Sequence, residues 1–224
     1  MRTATSLLIC FILVGCGTNY MNKKIGGLES KTIIVVPVGK NIKIKSTAGL
    51  GEVLGLVGLL AEKTVLKSSQ DKKTESYDPI TKDVGHLQVF AARYISEELE
   101  NCFKNVIFVD KPVSENLSWS EWVNSKVSIV PDSLILPNTD LIVEVRIGAI
   151  QLIKTAEQYK YGIFPSVNIS DAKNKKLISA PLVWGGKNWG PGMVDSGSKE
   201  DLANHLKTSL EKELKKLAEK VCSL

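Results

Sequence analysis

The chain has 224 residues, 43% of them hydrophobic and 24% charged, with 29 Lys and Arg against 24 Asp and Glu for a formal net charge of +5. That balance excludes a disordered stalk; the mild positive excess would favour approach to anionic lipid or cell-wall polymers, but the charges are interspersed and describe a generally solvated surface, and no nucleic-acid partner is expected. With two histidines and no HExxH, GxSxG or GxxxxGK[ST] pattern, the sequence offers no zinc, nucleophile-elbow or phosphate-loop chemistry, so no enzyme, metal or cofactor is expected.

Arg2 precedes an apolar run, Leu7 to Val14, that falls far short of the roughly 18 residues a spanning helix needs, and Leu13-Val14-Gly15-Cys16 closes it. The run reads as a removable signal peptide over residues 1–15. The four closing residues resemble the lipobox of bacterial lipoproteins. That resemblance implies lipid transfer to the Cys16 sulfur, cleavage before Cys16, and acylation (palmitate or a similar chain) of the new amino terminus. An ordinary secretory signal cut elsewhere, with Cys16 a free thiol, is the competing reading. Gly17 in place of the aspartate that retains enteric lipoproteins at the inner membrane implies an outer-membrane anchor on the periplasmic face.

Residues 16–30 are polar and glycine-containing, as suits a lipidated tether, and residues 31–224 are expected to form one α+β domain. Lys31 to Val38 predicts a strand buried on both faces, and Asn41 to Ser46 a half-exposed one. In Ala48 to Leu66, Gly51, Gly55 and Gly58 share a helical face opposite Leu54, Val57 and Leu60. This segment either packs closely on the sheet through its glycines or contacts a membrane or a partner subunit. Lys67 to Asp83 reads as an exposed loop.

Asp83 to about Lys104 predicts a long helix whose apolar stripe runs through Leu87, Ala91, Tyr94, Ile95, Leu99 and Phe103. Asn105 to Asp110 follows as a strand so closely that a parallel or near-parallel return is expected. Trp119 and Trp122, three apart, predict an amphipathic turn that packs inward or displays its rings. Thr139 to Lys154 gives the longest strand. Leu141, Val143, Val145 and Ile147 lie on one face, Ile142, Glu144, Arg146 and Gly148 on the other, and Gly148 marks a bulge or bend. Tyr159 to Asp171 and Leu177 to Trp184 predict an antiparallel hairpin, and Ser198 caps a final helix with Leu206, Leu210, Leu214, Leu217 and Val221 on its core stripe. The resulting fold is a mixed, mostly antiparallel sheet covered by the central and C-terminal helices.

Two features carry candidate function. Trp184, Lys187 and Trp189 lie in a loop of four glycines and a proline, where they either form a partner-binding surface or fold back over the sheet edge. Cys102 and Cys222 remain as a pair once Cys16 is lipidated, either bridged or as two buried thiols. The order of strand, helix, strand, long strand, two returning strands and helix behind a lipidated cysteine resembles a group of bacterial envelope lipoproteins. The group includes the penicillin-binding-protein activators, the TolB N-terminal domain and the curli secretion lipoprotein. Phe90 to Leu99 through Val106 is similar to their first helix and second strand, and Asp140 to Val145 to their third. The resemblance implies a non-catalytic binding or accessory module for another envelope component, held to its membrane through Cys16. The alternative is a subunit of an oligomeric secretion or transport assembly, and the oligomeric state itself stays open.

Overall fold

The computed structural model describes residues 24–42, 45–48, 75–76, 84–154, 158–181, 194–195 and 199–224. Among them stand strands β1 (Thr32–Pro37), β2 (Lys45–Ala48), β3 (Glu75–Ser76), β4 (Asn105–Phe108), β5 (Leu141–Lys154), β6 (Gln158–Asp171), β7 (Leu177–Ser179) and β8 (Val194–Asp195), with helices α1 (Leu87–Leu99), α2 (Trp119–Val123) and α3 (Lys199–Cys222). They form a single α+β domain around one mixed sheet.

β5 is the axis of that sheet. Along one edge it pairs in parallel first with β1, from Ile33 opposite Leu141 to Pro37 opposite Val145, and then with β2, from Lys45 opposite Gln151 to Ala48 opposite Lys154. β4 pairs in parallel outside β1, as the tight connection from α1 requires. Along the other edge β6 runs antiparallel to β5 over nearly its whole length, and β7 and β8 pair antiparallel beyond it. Antiparallel pairing predominates. The register slips between Ile147 and Ile150, at the glycine that predicted a bulge.

The alternation read in β5 sorts its side chains as expected. Val143, Val145 and Ile147 join Ile33 and Val35 against α1 and α3, whose Leu87, Ala91, Ile95, Leu99, Leu206, Leu210, Leu214 and Leu217 are buried at three- and four-residue spacing. The opposite face carries Ile34, Val36 and Ile142 under the long excursion between β4 and β5, from which Val130 packs down. The sheet is thus enclosed on both sides, which is why Ile33 to Val36 are buried without interruption.

Several boundaries differ from expectation: β2 begins at Lys45 rather than Asn41, whose side chain is taken up in capping α1, and β7 ends at Ser179, short of the expected Trp184. α1 starts at Leu87 rather than Asp83, because Gly85 adopts a left-handed φ of 67° and His86 an extended N-cap conformation. It stops at Leu99, ahead of Lys104, and turns carry the chain to β4. β3 falls inside the segment read as an exposed loop, a pairing of only two residues that no periodicity could announce. Residues 24–30 also belong to the packed body, since Ile25 and Leu28 lie in the main core and the Ile25 N–H donates to the Leu224 carbonyl.

Candidate functional site

The second face of the sheet carries polar side chains where an apolar layer would be the default. Register places Glu144 opposite Asn168 and Arg146 opposite Ser166, so these four share one face, and all are buried. A charge in such a place is costly unless every lone pair and proton finds a partner. The excursion over this face supplies them. Trp122 Nε1 donates to Glu144 Oε2 at 3.0 Å, and Ser128 Oγ and the Ile129 N–H donate to Oε1 at 2.7 and 2.8 Å. Burial still pushes the Glu144 carboxyl above the ordinary glutamate range, and these donors offset the shift only in part.

Arg146 faces the same cover. Its guanidinium donates to the Leu117 and Ser118 carbonyls at 2.6 and 3.1 Å and lies over the rings of Trp119 and Trp122, 5.9 and 5.8 Å from their centroids. α2 is held by a capping box in which Ser118 and Glu121 bond each other's backbone N–H groups. That cap fixes the Ser118 carbonyl for Arg146, and Asn168 Nδ2 bonds the Trp122 carbonyl from the other side. Gly148 completes the fit, for a Cβ there would stand 2.6 Å from the Trp119 ring. Trp122 is wholly buried and Trp119 half-buried, the inward-packing alternative of the two that the sequence left open. Chemically, this cluster clamps the cover to the sheet.

On the helix side, Gln88 occupies the gap where β1 has ended and β2 has not begun. Its Nε2 donates to the carbonyls of Ile147 and Lys40, and its Oε1 accepts the Ile147 N–H at 2.7 Å. The side-chain amide therefore stands in for one residue of a missing strand. Beside it, the Asn41 side chain accepts the Leu87 N–H and so caps α1 from a distance. The sequence reading placed neither residue, although a glutamine among the apolar positions of a helix stripe was a visible signal.

Of the residues singled out from the sequence, Cys102 and Cys222 are joined by a disulfide with Cα atoms 5.8 Å apart, stapling the end of α3 to the turn after α1. His86 is half-buried at the N-cap of α1, and burial lowers its pKa. His205 lies half-buried on α3, and Cys16, Trp184, Lys187 and Trp189 fall outside the described residues. No group of three or more potential metal ligands occurs among the described residues, and no helix there is long and apolar enough to cross a membrane.

Two open grooves flank the end of the sheet at which β1, β4 and β5 begin. One, of about 490 Å³, is lined by Lys24, Lys31 and Lys176 and by Asp171, together with Asn174, Ile25, Leu177 and Ile178. The other, of about 540 Å³, lies along β4 and is lined by Asn105, Val106 and Ile107 with Leu136 and Pro137. Val127 and Leu136 are the large hydrophobic side chains left about half exposed, at 53% and 50%, among the described residues, and both belong to this end.

No protein-family model matches the sequence, and comparison with curated proteins gives no match. Solved structures with a similar arrangement include a DUF330-family protein from Xanthomonas campestris, with a TM-score of 0.43 at 6% identity over 89% of this chain and 86% of that one. A neuraminyllactose-binding hemagglutinin homologue from Helicobacter pylori aligns at 0.39 and 9% over 88% and 89% of the two chains. Lipoprotein GNA1162 from Neisseria meningitidis aligns at 0.27 and 13% over 81% and 96%. Likeness of this degree names no family and assigns no activity.

Proposed function

We propose that this chain is an envelope lipoprotein: a non-catalytic binding or accessory domain, anchored through lipid on Cys16 to the periplasmic face of an outer membrane, that engages another envelope component. The observation that carries the reading is the Cys102–Cys222 disulfide, a bridge across 120 residues of sequence. Structural disulfides of this kind belong to oxidising compartments, and that agrees with the exported address read at Leu13 to Cys16. The buried charges Glu144 and Arg146 are committed to holding the fold, which supports a binding role over a catalytic one. Trp184, Lys187 and Trp189 are the proposed partner-binding residues.

Cys16→Ala tests the anchor. Processed wild-type protein should remain in washed membranes and carry an acylated amino-terminal cysteine by intact mass, whereas the variant should lose both properties and keep its fold. Retention of the variant in washed membranes at the wild-type level would refute the lipoprotein reading. The alternative, a subunit of an oligomeric secretion or transport assembly, has one observation in its favour: among the described residues β4 pairs only with β1, and its outer edge carries no proline, with Val106 and Ile107 in an open groove.

A further inference from the structure

The grooved end of the sheet is also the end from which the chain leads back toward Cys16. β1, β4 and β5 start there, β6 finishes there, and Ile25 meets Leu224 there. Only eight residue steps separate Cys16 from Lys24. Eight residue steps cannot span more than about 28 Å whatever their conformation. β5, with 14 residues, extends roughly 45 Å in the opposite direction. A lipid on Cys16 would therefore hold this end at the membrane surface and place the far end of the sheet well away from it.

The chemistry of this end suits that position. Lys24, Lys31 and Lys176 line one groove with Asp171, and none of the three lysines takes an ion-pair partner among the described residues. Lys104, Lys126 and Lys173 stand exposed nearby. Carboxylates are interspersed with them, Asp171 in the groove itself, but the lysines of this end outnumber them, and Asp171 is held into its own turn by backbone donors. Asp171 accepts the Lys173 and Asn174 N–H groups, Asp140 accepts the Thr32 N–H, and Asp132 pairs with Lys175. Glu29 and Glu100 stand exposed. Val127, bridged to Lys176, and Leu136, in the loop before Asp140, add apolar side chains at the same end. Exposed aliphatic side chains at an end with an excess of lysines match the interface of an anionic bilayer, in which phosphates meet the ammonium groups and the acyl boundary receives the side chains.

We propose that this end is a bilayer-facing surface: the groove of Lys24, Lys31 and Lys176 receives the phosphate of an anionic phospholipid headgroup while Val127 and Leu136 enter the interfacial layer. The inference rests on lipidation of Cys16 for its orientation. Its chemistry stands independently.

The test uses the processed protein reconstituted into phosphatidylcholine vesicles with and without phosphatidylglycerol. A fluorophore is attached at Leu136→Cys, or at Asn204→Cys on the far part of α3 as a control, and brominated phospholipid serves as quencher. Quenching at position 136 should be more than about twofold stronger in the anionic vesicles, should fall to the control level in a Lys24→Glu, Lys31→Glu, Lys176→Glu variant of unchanged Tm, and should be absent at position 204 in both membranes. Equal quenching at the two positions, or no response to phosphatidylglycerol, would overturn the proposal. Loss of the position-136 signal on adding inorganic phosphate would also overturn it, by reassigning the groove to the free ion. Intact mass of the same preparation reads Cys16 separately. If Cys16 carries no lipid, the anchor reading fails alone, and the protein added from outside must still sediment with anionic vesicles and not with neutral ones. Sedimentation with neither refutes the groove.

Discussion

Replacing Gln88 by leucine preserves volume on the buried face of α1 but leaves the Ile147 N–H and the carbonyls of Ile147 and Lys40 without the partners they have now. Buried backbone groups orphaned in this way cost about 1–3 kcal/mol each when no water reaches them. Gln88→Leu should accordingly lower unfolding free energy in urea by about 2–4 kcal/mol, and a loss below 0.5 kcal/mol would mean that the gap closes without the amide. Glu144 makes a different prediction, in pH. Because its folded pKa is raised above the unfolded value near 4.5, the folded state takes up a proton before the unfolded state does. Its contribution to stability is therefore full below the ordinary glutamate pKa and is lost as pH rises through the folded one. Wild type should gain stability relative to Glu144→Gln between neutral pH and about pH 5, and urea titrations showing the opposite slope would contradict the assignment. Neither role was legible in the sequence as a contact. Glu144 and Arg146 were placed on the correct face, but their partners Trp122, Ser128 and Leu117 lie 16 to 29 positions away, and no local period encodes such distances.

At the scale of elements the sequence was more informative, because a period of two or of 3.6 reports directly which face is buried. The faces of β5, the parallel return of β4 and the leucine stripe of α3 follow from alternation, a short connection and heptad-like spacing. What escaped was set by backbone conformation and by pairing between distant segments: the left-handed Gly85 that delays α1, the two-residue β3, and the packing of Ile25 and Leu28 ahead of β1. The link between α1 and α3 depends on more than packing. Their contact is reinforced by the Cys102–Cys222 bridge, which closes a loop of about 120 residues. In the chain-entropy account a loop this long stabilises by up to about 5 kcal/mol. Replacing both cysteines by alanine should lower the denaturation midpoint markedly, and reductant should reproduce that shift in wild type but leave the variant unmoved. A wild type insensitive to reductant under conditions that open the bridge would show that helix packing alone suffices.

At the scale of the whole molecule, the two readings of function separate by size. A detergent-solubilised, processed protein that sediments as a single copy supports the accessory domain, whereas a defined closed ring supports the assembly subunit and directs attention to the open edge of β4. The same architecture governs how the molecule would carry a mechanical load. The segment that would connect the domain to lipid enters the packed body at residues 24–30, where Ile25 and Leu28 lie in the core, and continues into β1, which is held on both sides, by β4 and by β5, with parallel ladders. A pull on that segment along the strand axis loads both ladders in shear, so many hydrogen bonds must yield together instead of peeling one at a time from an edge. Were Cys16 to carry lipid, the pull of a membrane against a partner would thus reach a central strand, the place in a sheet where tension is best resisted.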